Sequence, residues 1–398
     1  MTRTIAIDAR KVEDFGIGTY IRSLVRELAE IDSTYRYLLL VGPQGRDAFG
    51  DLPDNFETVP ERAPVYSVRE QVSVSFSLLR RRADLYHATH YVLPLLVPCR
   101  SIVTIHDIIH LLYPEFLPHR FAHVYAERMI RRSLMHGDRV ITVSHNTRND
   151  LKNWFGVDGS RIEVVYNGID PLFRRASASL STTGDLPNPV QDDPETTHWL
   201  ETFGLEPGYL LFVGNPKPHK NLDRVVQAYA RAVERDRIEA PLVCVGDRTG
   251  TQRKVQMRAD QLGITDRLVF LGHVPQEALP ALYRSAALFL YPTLYEGFGL
   301  PVVEAMASNV PVLTSNTSAL KEIAADYAHL VDPLDVDAMA DGIVRCLRDD
   351  ALRKRLRKAG RRRARDFTWR RAAEKTLALY ERTLNRSKDS TSSAAESA

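Results

Sequence analysis

Two glutamates, Glu296 and Glu304, lie eight positions apart in the segment 295–306, which reads YEGFGLPVVEAM. Gly297 and Gly299 follow the first of them, and because glycine has no Cβ, their backbone N–H groups can approach a ligand closely. Backbone donors suit a phosphate and carboxylates suit hydroxyl groups, so this combination favours binding of a sugar nucleotide. The alternative is a glycine turn whose glutamates are only solvated.

The residues on either side predict the elements that hold this segment. The apolar run 287–291 predicts a buried parallel strand before it, and the run 302–307 predicts a helix after it. The first turn of such a helix has unsatisfied N–H groups aligned with the helix dipole, and these favour an anion. Strand, glycine loop and helix together predict a phosphate-binding unit.

A histidine and an aspartate, His106 and Asp107, follow another strongly apolar run, 101–105. Catalytic groups of parallel α/β domains gather at the carboxyl ends of their strands. An acid beside the histidine at such a position favours a functional pair over a structural histidine.

A glycine loop at 14–20 opens a predicted helix near the start of the chain. Gly16 and Gly18 are present, but Ile21 stands where a third glycine would complete a dinucleotide fingerprint. A nicotinamide site is therefore poorly supported, and a purely structural turn remains open.

Two lysines, Lys217 and Lys220, lie on the loop 214–221, which follows a predicted strand at 209–213. A cation there could neutralise a leaving diphosphate. The alternative is that both are exposed loop lysines without a ligand.

Strand, loop and helix recur in both halves of the chain, which predicts an α/β protein with two doubly wound domains. A stretch rich in Ser, Thr, Pro and Asp at 175–198 has no hydrophobic periodicity and predicts a linker or insertion. The predicted parts are an N-terminal domain 1–174, a linker 175–204, a C-terminal domain 205–365, a helix 366–386 and a disordered polar tail 387–398.

Length, charge and cysteine content exclude several classes of protein. A chain of 398 residues is long enough for two domains with separate hydrophobic cores. A net charge of +3 does not by itself indicate binding to nucleic acid. The three cysteines form no CxxC pair, and no apolar run approaches the roughly 20 residues of a membrane span. We therefore predict a cytoplasmic protein without a signal peptide. Asp335 and Asp337 imitate a metal-binding DxD, but helix capping explains them better, so no metal is predicted.

Basic residues are unevenly distributed, in clusters at 80–82, 131–132 and 353–371. The segment 114–135 is both aromatic and basic, and such a surface could contact a membrane. The alternative is a packed helix with a charged outer face.

The segment EGFGLPVVEAMA, with Glu296 and Glu304, resembles the E-x7-E signature of retaining family 4 glycosyltransferases of GT-B fold, also called group 1. The similarity runs from about residue 4 to about residue 384 and includes a TIHD-like motif ending at Asp107, an NGID-like turn at 167–170 and Lys220 in a "KN" position. It is strongest to bacterial mannosyltransferases. The resemblance implies two Rossmann-like domains facing across a cleft, with the helix 366–386 crossing back to the N-terminal domain.

The resemblance also implies an activity. Such an enzyme moves a sugar from a nucleotide diphosphate donor to a hydroxyl of a glycan or lipid-linked acceptor in polysaccharide synthesis, with retention and without metal or cofactor. GDP-mannose is the first expectation, and a UDP-sugar is the alternative. Peripheral contact with the inner membrane surface is a further expectation. A phosphorylase-like enzyme, a nucleotide-sugar epimerase and a non-catalytic subunit remain open.

By the same resemblance His106 is expected to face the reacting end of the donor sugar. Lys220 is expected to bind the leaving diphosphate, and Glu296 is expected to bind the sugar hydroxyls. Glu304 is expected at the nucleotide ribose. Asn215 departs from the family, because many members have an arginine there. His219 or Lys217 could supply the positive charge of that missing arginine. The remaining expected substrate contacts are Gly16, Gly18, Asp107, Asn215, Lys217, His219, Gly297, Phe298, Gly299 and Leu300.

Overall fold

The computed structural model describes residues 2–43, 45, 47–116, 120–178, 193–215, 217–246 and 250–385, with only the backbone at 116, 120, 121, 175–178, 250 and 251. These residues form two compact units. The first comprises the chain up to Gly168 and from Trp369 onward, and the second runs from Ile169 to Thr368.

The described part of the first unit contains a seven-stranded parallel sheet, with strand order β3-β2-β1-β4-β5-β6-β7. Its strands are apolar and largely buried, as expected for a parallel sheet covered by helices on both faces. The strands are β1 (Thr4–Asp8), β2 (Arg36–Val41), β3 (Phe56–Pro60), β4 (Leu85–Ala88), β5 (Arg100–Ile105), β6 (Arg139–Thr142) and β7 (Ile162–Val164).

Two helices of this unit begin at serine residues that cap them. Ser67 caps α2 by accepting a bond from the Glu70 N–H, and Ser144 caps α5 by accepting one from the Thr147 N–H. The helices are α1 (Phe15–Ile31), α2 (Val68–Arg80), α3 (Ile109–Leu112), α4 (Arg120–His136) and α5 (His145–Phe155). No described helix is apolar and long enough to cross a membrane.

The second unit has, among its described residues, a six-stranded parallel sheet of order β10-β9-β8-β11-β12-β13. The strands are β8 (Leu210–Val213), β9 (Leu242–Val245), β10 (Leu268–Gly272), β11 (Leu288–Tyr291), β12 (Val312–Ser315) and β13 (His329–Val331). In each sheet the order reverses once, between β1 and β4 in the first and between β8 and β11 in the second. Ligands of open parallel sheets bind at such switch points.

Helices cover the second sheet, and one final helix belongs to the first unit. The helices are α6 (Pro171–Ala178), α7 (Pro194–Phe203), α8 (Leu222–Asp236), α9 (Gly250–Gln261), α10 (Leu279–Arg284), α11 (Leu300–Ala307), α12 (Ser318–Ala324), α13 (Val336–Arg348), α14 (Asp350–Ala364) and α15 (Trp369–Leu384). α15 packs against α1. Asp335 caps α13 through the Ala338 N–H, so the DxD-like pair begins a helix.

The predicted linker 175–204 contains helical residues at both ends, because α6 extends to Ala178 and α7 occupies its last part. α7 forms because Asp193 caps it, Pro194 opens it and Gly204 ends it with a left-handed backbone. Its inner face buries Leu200. Residues 179–192 and the predicted tail 387–398 lie outside the described residues.

The aromatic and basic segment 114–135 contains most of α4. Ala126, Ile130 and Leu134 are buried in the core of the first unit, which agrees with the packed-helix alternative. Residues 117–119 of this segment lie outside the described chain.

Candidate active site

The switch point of the second sheet brings two charged side chains together. Lys220 lies on the loop after β8 and Glu296 on the loop after β11, and β8 and β11 are hydrogen-bonded neighbours. The Lys220 Nζ lies 2.7 Å from the Glu296 Oε1. The sequence predicts a role for each residue, and the sheet order places them in contact.

Tyr291, the last residue of β11, is the third member of this cluster. The Lys220 ammonium donates to the Tyr291 hydroxyl at 2.7 Å and also lies 5.3 Å from the centre of the ring. Burial alone would lower the pKa of Lys220, but the charge of Glu296, together with Tyr291, outweighs it and raises the pKa. Lys220 is therefore a fixed cation at neutral pH.

Hydrogen bonds with the side chains of Asn221 and Ser318 hold the backbone around the cluster. Asn221 adopts a left-handed backbone (φ 62°) and donates from Nδ2 to the carbonyls of Pro292 and Pro333, at 2.9 and 2.7 Å. The Glu296 N–H donates to the Ser318 Oγ at 3.1 Å. Both loops are thus fixed against their neighbours, which keeps the Lys220 ammonium and the Glu296 carboxylate within hydrogen-bonding distance.

The glycine loop between β11 and α11 needs Gly299 for steric reasons. Its φ is +98°, and a Cβ there would lie 2.4 Å from the Leu320 Cδ2. The first turn of α11 offers fewer backbone N–H donors to an anion than the sequence predicts. Pro301 has no N–H, and the Val302 N–H already donates to the Gly299 carbonyl. The N–H groups of Gly299 and Leu300 are the remaining backbone donors of this turn.

Phe298 and Gly297 are the other predicted residues of this loop. The Phe298 side chain is buried and packs edge-on against Phe367, so only its backbone can reach a ligand. Gly297 lies beside Glu296 on the same loop.

Glu304 lies on α11 and accepts a hydrogen bond from the Tyr283 hydroxyl at 3.1 Å. Burial raises the pKa of its carboxyl to about 7, although the Tyr283 bond opposes this rise. The Glu304 carboxyl therefore changes its charge near neutral pH, unlike an ordinary glutamate.

The loop after β8 carries the other predicted ligands, Asn215, Lys217 and His219. The His219 carbonyl accepts from the Leu294 N–H at 2.8 Å, which ties this loop to the loop after β11. Lys217 is exposed and lines a cavity of about 530 Å³ beside α8 and α9, which neither Lys220 nor Glu296 lines. The Lys217 carbonyl accepts from the Lys220 N–H at 2.9 Å, so the two lysines share one turn while the Lys217 side chain lines this cavity.

In the first unit, His106 lies at the carboxyl end of β5. Its Nε2 donates to the Thr89 carbonyl at 2.9 Å, so Nε2 carries the proton because a carbonyl can only accept. Burial lowers the pKa of the ring despite that bond and the charge of Asp107, which both raise it. The ring is therefore neutral at pH 7, and its Nδ1 is an acceptor suited to a hydroxyl group.

The other predicted residues of the first unit, Asp107, Gly18 and Gly16, differ in their surroundings. The Asp107 Oδ1 accepts from the Ile109 N–H at 3.0 Å and so closes the turn into α3. A Cβ on Gly18 would lie 2.2 Å from the Val12 carbonyl, so Gly18 is required by packing. Gly16 has open space around its Cα and could admit a ligand.

A buried ionic cluster lies at the switch point of the first sheet. Arg10 donates to the Asp8 Oδ2 at 2.6 Å and to the Glu70 Oε2 at 3.1 Å. Burial would raise the pKa of Asp8, but the charge of Arg10 and its hydrogen bonds hold it well below its usual range. Both ring nitrogens of His90, which lies beside this cluster, lack a hydrogen-bond partner among the described residues. Burial lowers the pKa of that ring to about 4.

Sequence reasoning misses Tyr291, Tyr283, Asn221 and this ionic cluster. Asn221 follows Lys220 directly, and its tolerance of a left-handed backbone is the one signal that could have indicated its role. In the described part of the chain no three His, Cys, Asp or Glu side chains lie close enough to hold a metal ion.

Comparison with known proteins agrees with the two-unit architecture. The family model for glycosyl transferases group 1 matches residues 195–363, and that for Glycosyltransferase Family 4 matches residues 16–172. The O-antigen chain mannosyltransferase B of Escherichia coli is 32% identical over 382 residues, which are 92% of this chain and 95% of that protein. The O-antigen chain mannosyltransferase RfbU of Salmonella typhimurium is 28% identical over 247 residues, 62% of this chain and 60% of that protein.

Among solved structures, the sucrose-phosphate synthase of Thermosynechococcus elongatus superposes with a TM-score of 0.75 at 21% identity, covering 97% of this chain and 100% of that one. That likeness concerns the fold, and it agrees with the two Rossmann-like parallel sheets described above. The predicted α/β architecture and the predicted family are confirmed. The chain belongs to the group 1, family 4 glycosyltransferases and has their GT-B fold.

Proposed function

We propose that this glycosyltransferase moves mannose from GDP-mannose to a hydroxyl of a glycan or lipid-linked acceptor in polysaccharide synthesis, with retention and without a metal. Two mannosyltransferases among its relatives support the choice of sugar. The observation that carries the proposal is the 2.7 Å contact between Lys220 and Glu296 at a sheet switch point. One side chain suits a diphosphate there, and the other suits sugar hydroxyls.

The bond from the anomeric carbon to the diphosphate oxygen breaks, and a bond from that carbon to the acceptor oxygen forms. Negative charge develops on the leaving diphosphate, where the Lys220 ammonium and the N–H groups of Gly299 and Leu300 stabilise it. The departing phosphate oxygen takes the proton of the acceptor hydroxyl on the same face of the sugar. No protein base is then needed for that proton.

The carboxylates bind hydroxyls rather than acting as an acid and base pair. When the diphosphate engages Lys220, Glu296 becomes available to accept hydrogen bonds from the sugar. Glu304, which is ionised above a pKa of about 7, accepts from the ribose hydroxyls. In the first unit, His106 presents a neutral ring nitrogen that can accept a hydrogen bond from a sugar hydroxyl.

The donor is tested by thermal unfolding with GDP, GDP-mannose, UDP and UDP-glucose, since a ligand of the folded state raises the melting temperature. We expect stabilisation by the GDP ligands. Preferential stabilisation by the UDP ligands would favour the UDP-sugar alternative, and no stabilisation by any of the four ligands would reject GDP-mannose as the donor.

Glu296→Ala tests the chemistry. The variant is expected to bind GDP but to lose transfer, because Lys220 and the backbone donors of the diphosphate remain. Undiminished transfer would reject the role of Glu296. The matched control is Glu277→Ala, which removes an exposed glutamate elsewhere in the same unit and should leave transfer unchanged.

A further inference from the structure

A cavity of the second unit lies between the beginning of α8 and the latter part of α9. Its volume of about 530 Å³ falls within the range of cavities that hold small molecules, roughly 300–1,000 Å³. Three parts of the chain line it: the turn before α8, the first turn of α8 itself, and the last two turns of α9. We call it the α8–α9 cavity.

Positive charge predominates around the α8–α9 cavity. Of the described residues that line it, Lys217, Arg224, Lys254 and Arg258 are cationic and Asp223 is the one carboxylate. The Asp223 Oδ1 already accepts from the Arg258 Nε at 3.2 Å, so that carboxylate is paired with the nearest arginine. The positive charge of the other three side chains is not balanced within the lining.

The three unbalanced cations are available to a ligand. Lys217 and Lys254 are exposed, and neither forms an ion pair with a carboxylate in the part of the chain that the structure describes. The Arg224 Nη1 donates to the Asn221 Oδ1 at 3.0 Å, which orients the guanidinium but leaves its charge uncompensated because that acceptor is neutral. Single exposed lysines are common on protein surfaces, but here they share one concave site with arginines.

The α8–α9 cavity also has an apolar wall. Leu222 from α8 and Val255 from α9 are buried and contribute to its lining. Met257 also lines it and is 55% exposed, so part of this thioether side chain is open to a ligand. Apolar side chains combined with a few charged groups are typical of a site for a small molecule that has both a ring and a charged group.

The side chains of this cavity differ from those assigned to the donor diphosphate. Neither Lys220 nor Glu296 lines the α8–α9 cavity. Lys217 and Lys220 share one turn, but the Lys220 ammonium donates to the Tyr291 hydroxyl and to the Glu296 carboxylate, each at 2.7 Å. An anion held by Lys217 and the cations of α8 and α9 would therefore occupy a second site.

We propose that the α8–α9 cavity is a binding site for an organic phosphate, separate from the site of the sugar donor. Lys217, Lys254 and Arg224 bind the phosphate group through charge-assisted hydrogen bonds, and the apolar wall with Met257 contacts the ring of the ligand. Sugar phosphates and nucleoside phosphates share this chemistry. The proposal goes beyond the proposed function and does not depend on which nucleotide sugar is the donor.

The test is calorimetric titration of the full chain with inorganic phosphate, ribose 5-phosphate and AMP, a series that adds first a sugar ring and then a base to one phosphate group. We expect an organic phosphate to bind more tightly than inorganic phosphate, with affinities that fall as salt is added. Lys254→Glu should weaken all binding about tenfold, since it turns an attraction at close range into a repulsion. Met257→Ser should weaken only the organic phosphates, by about fivefold, because it shortens the apolar wall.

The matched control is Lys358→Glu, which makes the same charge change at an exposed lysine of α14 in the same unit. It should bind the three phosphates as the wild type does. Thermal stabilisation of Lys254→Glu by GDP, equal to that of the wild type, shows that this variant is folded and that its donor site is intact.

Equal phosphate affinities for the wild type and Lys254→Glu would overturn the proposal, and so would a wild type that binds none of the three phosphates. An equal loss of GDP and phosphate affinity in Lys254→Glu would assign the phosphates to the donor site instead. Inorganic phosphate that binds as tightly as both organic phosphates would reject the role of the apolar wall. A wild type that GDP does not stabilise would refute the proposed donor but would leave the comparison of phosphate affinities valid.

Discussion

Replacing Glu304 by glutamine should change how the stability of the protein depends on pH. Burial raises the pKa of the Glu304 carboxyl from 4.5 to about 7 in the folded chain. Between these pH values the folded protein keeps a proton that the unfolded chain has lost. The Glu304 contribution to the free energy of unfolding is therefore full below about pH 4.5 and falls as pH rises toward 7 and beyond.

The size of this effect follows from the pKa difference. A rise from 4.5 to about 7 corresponds to about 3 kcal/mol, at roughly 1.4 kcal/mol per pH unit. Other carboxyls titrate over the same range, so the informative quantity is the difference between wild type and Glu304→Gln. Relative to the variant, the wild type should lose about 3 kcal/mol between pH 4 and pH 8.

The assay is urea unfolding of both proteins at a series of pH values. Glutamine can still accept from the Tyr283 hydroxyl, so the variant keeps that contact. The control Glu277→Gln removes an exposed carboxyl of the same unit and should follow the wild-type curve. Parallel stability curves for wild type and Glu304→Gln would refute the reasoning.

Three further predictions test the site, the first of them with a paired control. Gly299→Ala should lower the free energy of unfolding by about 2 kcal/mol or more, because residue 299 has a positive φ and an added Cβ would clash with Leu320. The control Gly16→Ala should leave the free energy of unfolding unchanged or raise it. Equal urea midpoints for the two variants would contradict this prediction. Tyr291→Phe removes one hydrogen bond to Lys220 and should reduce kcat for transfer about tenfold with little change in melting temperature; an unchanged kcat would reject a positioning role. Asn221→Ala leaves two buried carbonyls unpaired and should cost about 2–4 kcal/mol by urea unfolding, and a cost below about 0.5 kcal/mol would exclude this anchoring role.

The sequence is informative about where each strand ends. The apolar runs that form β5, β8 and β11 are short and uninterrupted, so the polar residues after them can be assigned to the carboxyl edge of a sheet. His106, Lys220 and Glu296 are predicted in this way. The prediction works because a buried parallel strand and a polar loop differ sharply in composition.

The order of the strands within the sheet is not readable in the same way. β8 and β11 are neighbours in space but are separated by β9 and β10 in the chain. The contact between Lys220 and Glu296 depends on that crossover, which no local pattern encodes. The same holds for Tyr283 and Glu304, since the burial that shifts the carboxyl pKa arises only when α10 and α11 pack together.

Helical periodicity also does not say which apolar face is covered. In α2, Val74 and Leu78 recur at the same spacing as Val68, Val72 and Phe76. One set is buried and the other exposed, because only the first faces the sheet. The polar residues do not decide between the faces either, since Glu70 is buried with its arginine partner.

At the second switch point, two partners from different parts of the chain hold the Lys220 ammonium. Lys220 is held by Tyr291 from the strand and by Glu296 from the loop, each at 2.7 Å. A largely buried ammonium without a counter-charge is costly, and Glu296 supplies that charge in this structure. In the proposed mechanism a diphosphate replaces Glu296 at Lys220, and Tyr291 keeps the cation in place while the carboxylate turns to the sugar. The Tyr291 hydroxyl should therefore matter for turnover even though it need not touch the substrate.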